Sequence, residues 1–252
     1  MMNTRASTMK TPPVVAVLIV VSVLAAFGNQ SSRSAATRSE SKLWTDRFDT
    51  SACRWSSTGK NDYFILEPGD QAVFESRDGG KTVRLVITAL NDTKRVGNVE
   101  ARVVEERETH NGELVEVSRN FFALCGPTND VFYFGEEVDI YKNGKVDNHE
   151  GSWLAERAGA KPGLFMPARP LLGARFYQEI APAVAMDRVE VISDRETLKT
   201  PMREFRDAVK TEETTPLEPG VKDYKVYARG IGMIQDGVLL ITKHGSIAAA
   251  QK

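Results

Sequence analysis

Few residues of this 252-residue chain have types and spacings that could do chemistry. His149 is the first, because Glu136, Glu137, Asp139, Asp147 and Glu150 all lie within one hairpin of it, and carboxylates with one imidazole can hold a divalent cation. Glu136, Asp139, His149 and Glu150 are therefore the candidate metal ligands. The same four are the candidate machinery of a carboxylate-based or metal-assisted hydrolase. The competing reading is that acids alternating along a hairpin are its solvated face. None of the three histidines stands in a His-Glu-x-x-His spacing and the two cysteines form no Cys-x-x-Cys, so a metal site has to be assembled from scattered ligands and no cofactor is specified. His110, at a hairpin tip, and His244, near the tail, read as solvated.

Nucleophile patterns are thinner still. There is no Gly-x-Ser-x-Gly elbow, and Ser39-Glu-Ser-Lys42 and Ser57-Thr-Gly-Lys60 match Ser-x-x-Lys only by letter. Cys53 and Cys125 lack a neighbouring His to activate a thiolate. In an oxidising compartment a bridge between them is the simpler chemistry, and the chain-entropy relation gives such a bridge roughly 4 kcal/mol. Their distance in sequence leaves their meeting to the fold. The acidic pairs Glu105-Glu106, Glu136-Glu137 and Glu212-Glu213 specify no reaction by themselves, since separation in space decides carboxylate chemistry. In a strand, neighbours point to opposite faces, so at most one of each pair can face a cavity. No Gly-rich loop leads to a Lys-Ser/Thr helix start, and 33 Lys+Arg are interspersed with 34 Asp+Glu, which excludes nucleotide-phosphate and nucleic-acid binding.

Aromatic residues are the last constellation. On two-faced strands about half of them must point each way, so core filling is the default and some rings are left to line a groove. Phe134, Tyr141, Trp153, Phe165 and Tyr177 are the candidates to contact a small apolar ligand.

The elements that must position these residues are strands. Thr82 to Ala89 alternates, with Val83, Leu85 and Ile87 on one face and Thr82, Arg84 and Thr88 on the other; only Val86 breaks the pattern. Asn111-Gly112 and Asn143-Gly144 sit between strand-like runs and mark hairpins, because a type I′ turn needs positive φ at both central positions. Long helical periodicity is absent, and only SWLAERAGA (152–160) has the composition of a short helix. The expected fold is mainly β: an antiparallel meander forming a barrel or two packed sheets. VRLVITALNDTK (83–94) and DRVEVISDRETLK (187–199) share a pattern, so the meander divides into two similar halves, 63–141 and 174–243, if the pattern reflects duplication rather than any pair of alternating meanders. Between them, 148–175 is too irregular for a strand and too apolar to be solvated, and is expected to plug or cover one end of a barrel.

At the N-terminus, Arg5 and Lys10 precede the apolar run 14–27, which is shorter than the about 20 residues of a membrane span and reads as a secretory signal cut after Gly28. Residues 29–60 are expected to be a flexible tether and leading segment, 61–245 a single β-rich domain, and 246–252 a tail. The mature chain has no transmembrane span and is placed in the periplasm or outside the cell.

YFILEPG (63–69), VFYFGEEVDIY (131–141), HEGSW (149–153) and TPLEPGVKDYKVYARGIG (215–232) occur in fixed order, and on these motifs the chain resembles a family of uncharacterised secreted bacterial proteins. The likeness covers about Asn61 to Gly237 and departs from the family pattern at Ile65, Arg203 and Arg229. It implies bacterial secretion and a shared β fold, and no activity. The expected function is a non-enzymatic module binding a small apolar ligand or an envelope component. The alternatives are the hydrolase above and a structural envelope protein that pairs through exposed edge strands.

Overall fold

The computed structural model describes residues 43–78 and 80–247. The segment expected to be a secretory signal, residues 1–28, the expected tether 29–42 and residues 248–252 of the expected tail lie outside them. Strand is the regular structure of the described residues: β1 (Trp55–Ser56), β2 (Asp70–Asp78), β3 (Lys81–Val96), β4 (Val99–His110), β5 (Glu113–Cys125), β6 (Asp130–Lys142), β7 (Lys145–Asn148), β8 (Trp153–Leu154), β9 (Lys161–Met166), β10 (Arg175–Tyr177), β11 (Glu179–Ile180), β12 (Arg188–Lys199), β13 (Glu204–Thr214), β14 (Asp223–Ala228), β15 (Gly232–Asp236) and β16 (Leu239–Ser246). All pairings between them are antiparallel.

The sheet runs β10-β12-β13-β14-β15-β16-β2-β3-β4-β5-β6-β9-β11. Its two ends are consecutive pieces of one segment, separated only by Gln178. Phe176 of β10 pairs with Val189 of β12, and Ile180 of β11 pairs with Lys161 of β9, so this segment hydrogen-bonds on both sides and nearly closes the sheet into a barrel. Closure needs two backbones in close approach. A Cβ at Gly163 would lie 2.1 Å from the carbonyl oxygen of Gln178, and only glycine leaves that room. Gln178 in turn donates to the carbonyls of Asp187, through its backbone, and of Phe165, through its side chain.

The Asn-Gly turns take the conformation their residues favour: Asn111 and Gly112 have φ of 51° and 86°, and Asn143 and Gly144 of 53° and 73°. Three expectations change. Residues 152–160 form no helix; β8 is followed by turns in which Glu156 and Ala158 hold positive φ, which an α-helix excludes. The segment 148–175 is more than a cover, because β9 within it joins β6 as part of the wall. Packing also begins well before Asn61. The Arg188 guanidinium lies 4.4 Å from the Trp44 ring centre, Phe48 and Trp55 meet Phe132 edge to face, and a Cys53–Cys125 disulfide fastens the leading segment beside the β1–β5 pairing.

Two apolar clusters hold the wall together. The larger centres on Phe121, Phe122, Phe132, Tyr133, Phe134 and Trp153; the smaller joins Phe74, Leu85 and Ile241 to Phe205, Val226 and Ile234. The interior between them is not filled.

Candidate functional site

Pairing register dictates which side chains face inward. Across β3, β4, β5 and β6, Leu85, Glu108, Glu116 and Ile140 form one row of partners, Ile87, Glu106, Ser118 and Val138 the next, and Ala89, Val104, Asn120 and Glu136 the third. Alternation puts all three rows on one face. That face bounds a cavity of about 130 Å³. One part of its wall is apolar, with Phe64, Ile87, Phe122, Phe165 and Met233. Phe165 stands at the centre of this part, its ring centre 4.7 Å from that of Phe122 and 5.1 Å from that of Phe64.

The other part is acidic. Glu106, Glu108, Glu116, Glu136, Glu179, Asp187 and Asp236 all line the cavity, and Lys225 is the cation among them. Lys225 is already engaged: its Nζ is 3.0 Å from Glu213 Oε2 and 4.0 Å from Asp236 Oδ1, and it is 2% exposed. Burial alone would depress its pKa, but Asp236 and Glu213 outweigh that and hold it well above the usual lysine range. Glu108 pairs with His110. The buried Arg102 donates to the backbone carbonyls of Ser57 and Asn91. Among the described residues no cationic side chain forms an ion pair with Glu106, Glu116, Glu136, Glu179 or Asp187.

Each of these acids is held towards its neutral form. Burial, reinforced by Glu108 and Glu106, pushes Glu116 up to about 7. Burial also raises Glu106 to about 7 against the pull of Lys225, and with Glu106 and Glu116 nearby it raises Glu136 to about 8. Glu179 goes well above the carboxylate range, through burial first and Asp187 and Glu136 next. Asp187 is raised by burial, while Lys225 and a hydrogen bond with Thr215 oppose the rise. Beside the acids, the Tyr133 hydroxyl contacts Asn120 Oδ1, and Asn120 Nδ2 donates to Val104 O and Ser118 Oγ, which gives the wall a fixed polar strip.

The acidic pairs noted in the sequence are each divided by the strand pleat. Glu106 and Glu136 face the cavity and Glu213 is buried beside Lys225, while Glu105 contacts Arg119, Glu137 contacts Lys94 and Glu212 contacts Lys222 on the outer side. The same division separates the candidate metal and hydrolase set. Glu136 lines the cavity, whereas Asp139 lies on the opposite face of β6, 3.0 Å from Arg119 and 2.9 Å from His149 Nδ1. Glu150 donates its backbone N–H to Asn148 Oδ1. Among the described residues no three His, Cys, Asp or Glu side chains come together to hold a metal ion. Glu136, Asp139, His149 and Glu150 therefore do not form one site.

Of the aromatic candidates, Phe165 is at the cavity wall. Tyr177 is packed edge to face on Trp44 and Trp153 on Tyr133, both away from the wall, and Tyr141 is on the outer hairpin near Arg119. Phe134 packs on Trp55 because β6 carries an extra residue: Asn120 pairs with Glu136 but Phe122 with Tyr133, and Gly135, at φ 128°, takes up the bulge. The bulge changes the parity of the strand, so Tyr133 instead of Phe134 shares the face of Glu136. Glu116, Glu179, Asp187, Lys225 and Asp236 had no motif to mark them. The acidic-pair rule contains the only sequence signal, and it reaches Glu106, Glu136 and Glu213.

No family model matches the chain, and no curated protein or solved structure is similar to it.

Proposed function

We propose that the chain is an exported, non-enzymatic binding module whose barrel interior holds one small amphipathic molecule. The observation that carries this reading is the cavity itself: a pocket of molecular size with an apolar aromatic wall facing a group of carboxylates, most of which have no ion-pair partner among the described residues. A purely apolar ligand, the simpler expectation, matches only the aromatic side. Export is supported by the Cys53–Cys125 bridge, since disulfides persist in oxidising compartments. Charged pairs such as Arg84–Glu75 and Arg175–Glu190 stud the strands, unlike the apolar outer band of a membrane-spanning barrel. No described helix is long and apolar enough to cross a membrane. Pairing through open edges, as a structural envelope protein would use, has little support, because β10 and β11 bring the sheet ends together.

Native mass spectrometry of the full chain secreted by a bacterial host tests the reading. A mass excess in the native state that disappears on denaturation is expected. A native mass equal to the denatured one contradicts it.

A further inference from the structure

The occupant's charge follows from the cavity wall. Resting on the binding reading above, we propose that the ligand is a linear aliphatic polyamine, with its ammonium groups at Glu106, Glu116, Glu136 and Glu179 and its methylenes against Phe122 and Phe165. Three observations lead there. The first is a buried acid without a partner: the Glu179 side chain is 6% exposed, lines the cavity and accepts no hydrogen bond among the described residues, and Asp236, paired with Lys225 through Oδ1, leaves its Oδ2 unbonded. A buried carboxylate is costly unless something hydrogen-bonds or neutralises it, and the cationic side chain at the cavity wall, Lys225, is already engaged with Glu213 and Asp236. An anionic ligand would add to that charge. A neutral apolar one would seal the acids away from water with nothing to bond.

The second observation is spacing. Glu116 lies in the first of the three inward rows and Glu136 in the third, four residues along the strand, which at ~3.4 Å per residue is ~14 Å. Glu106 occupies the row between. Because no three of these groups converge tightly enough for a metal ion, a single compact cation cannot satisfy them. Several charges on an extended chain can. The third observation is the aromatic wall bordering the acids, with Phe122 stacked on Tyr133 at 4.6 Å and Phe165 beside both. It offers apolar surface to methylene spacers, and ring faces attract ammonium groups.

Isothermal titration of the full secreted chain with spermidine at low ionic strength tests the assignment, with dodecanoate as the charge-reversed probe and 1-N-phenylnaphthylamine, read by fluorescence, as the neutral one. Spermidine is expected to bind saturably, one per chain, and dodecanoate not to bind. Glu116→Gln and Glu179→Gln should each weaken spermidine about tenfold or more, the range for a hydrogen bond to a charged group. Glu204→Gln, at an exposed acid paired with Arg206, should change nothing and controls for surface attraction. If the neutral probe binds while spermidine does not, or if spermidine binding ignores the interior variants, the polyamine assignment falls and the binding module stands. If neither probe binds, both fall.

Discussion

Glu116 gives the sharpest stability prediction. It sits opposite Glu108 across the β4–β5 pair and has no cation in contact, so like charges face each other directly on one sheet face. Its pKa rises from 4.5 to about 7 on folding, and at about 1.4 kcal/mol per tenfold change in proton affinity this is worth about 3 kcal/mol. The sign follows from which state holds the proton. Below pH 4.5 the carboxyl is neutral in both the folded and unfolded chain and costs nothing; between 4.5 and about 7 only the folded chain keeps the proton, and stability falls as pH rises. Above about 7 the whole penalty is present. Glu116→Gln removes the charge and keeps the shape, so it should be close to neutral at pH 4.5 and stabilising at pH 8. Because the cavity admits water, the gain is set at about 1–3 kcal/mol, or roughly 3–9 °C in Tm for a domain of this size. Thermal unfolding followed by circular dichroism at half-unit pH steps reads this directly. A Glu116→Gln protein no more stable than the parent at pH 8, or one whose advantage is constant with pH, would refute the reasoning.

Other perturbations have equally definite outcomes. Replacing Cys53 and Cys125 together by Ser should lower unfolding stability by about 4 kcal/mol, measured by urea titration, because the bridge closes a long loop. Gly163→Ala places a Cβ against the Gln178 carbonyl and should cost about 1–3 kcal/mol by strain at the barrel closure, with faster hydrogen exchange in β11 as its local signature. Lys225→Met leaves Glu213 and Asp236 buried without their cation, which should cost about 3–5 kcal/mol at pH 8. That loss should shrink as the pH falls, because burial raises both acids and favours their uptake of protons.

Much of the wall was legible in the sequence because it depends on local rules. The alternation of Val83, Leu85 and Ile87 reports one strand face, and Asn111-Gly112 and Asn143-Gly144 report turns through backbone conformations that few other residues adopt. The site was less legible because it depends on register. That Glu106 shares a face with Ser118 and Val138 is a fact about three strands at once. The bulge at Gly135 reverses which of Tyr133 and Phe134 faces inward, and periodicity alone would choose the wrong ring. β9 was hidden by Pro162 and Gly163, residues that disfavour strands in general, although Gly163 permits the close approach that closes the barrel. Glu179 and Asp187 come from a short, irregular stretch with no alternating pattern, and only closure of the sheet brings them to the same cavity as Glu136.

The central claim is that the barrel interior is a binding site, and filling it tests that most directly. Ala72 pairs with Ile87 and His244 and lines the cavity, so Ala72→Trp projects an indole into the space a ligand would use. Saturable uptake of spermidine by the parent chain, read by titration calorimetry and lost in an Ala72→Trp protein whose circular dichroism is unchanged, is the predicted result. Equal uptake by both proteins would place binding elsewhere and contradict the account.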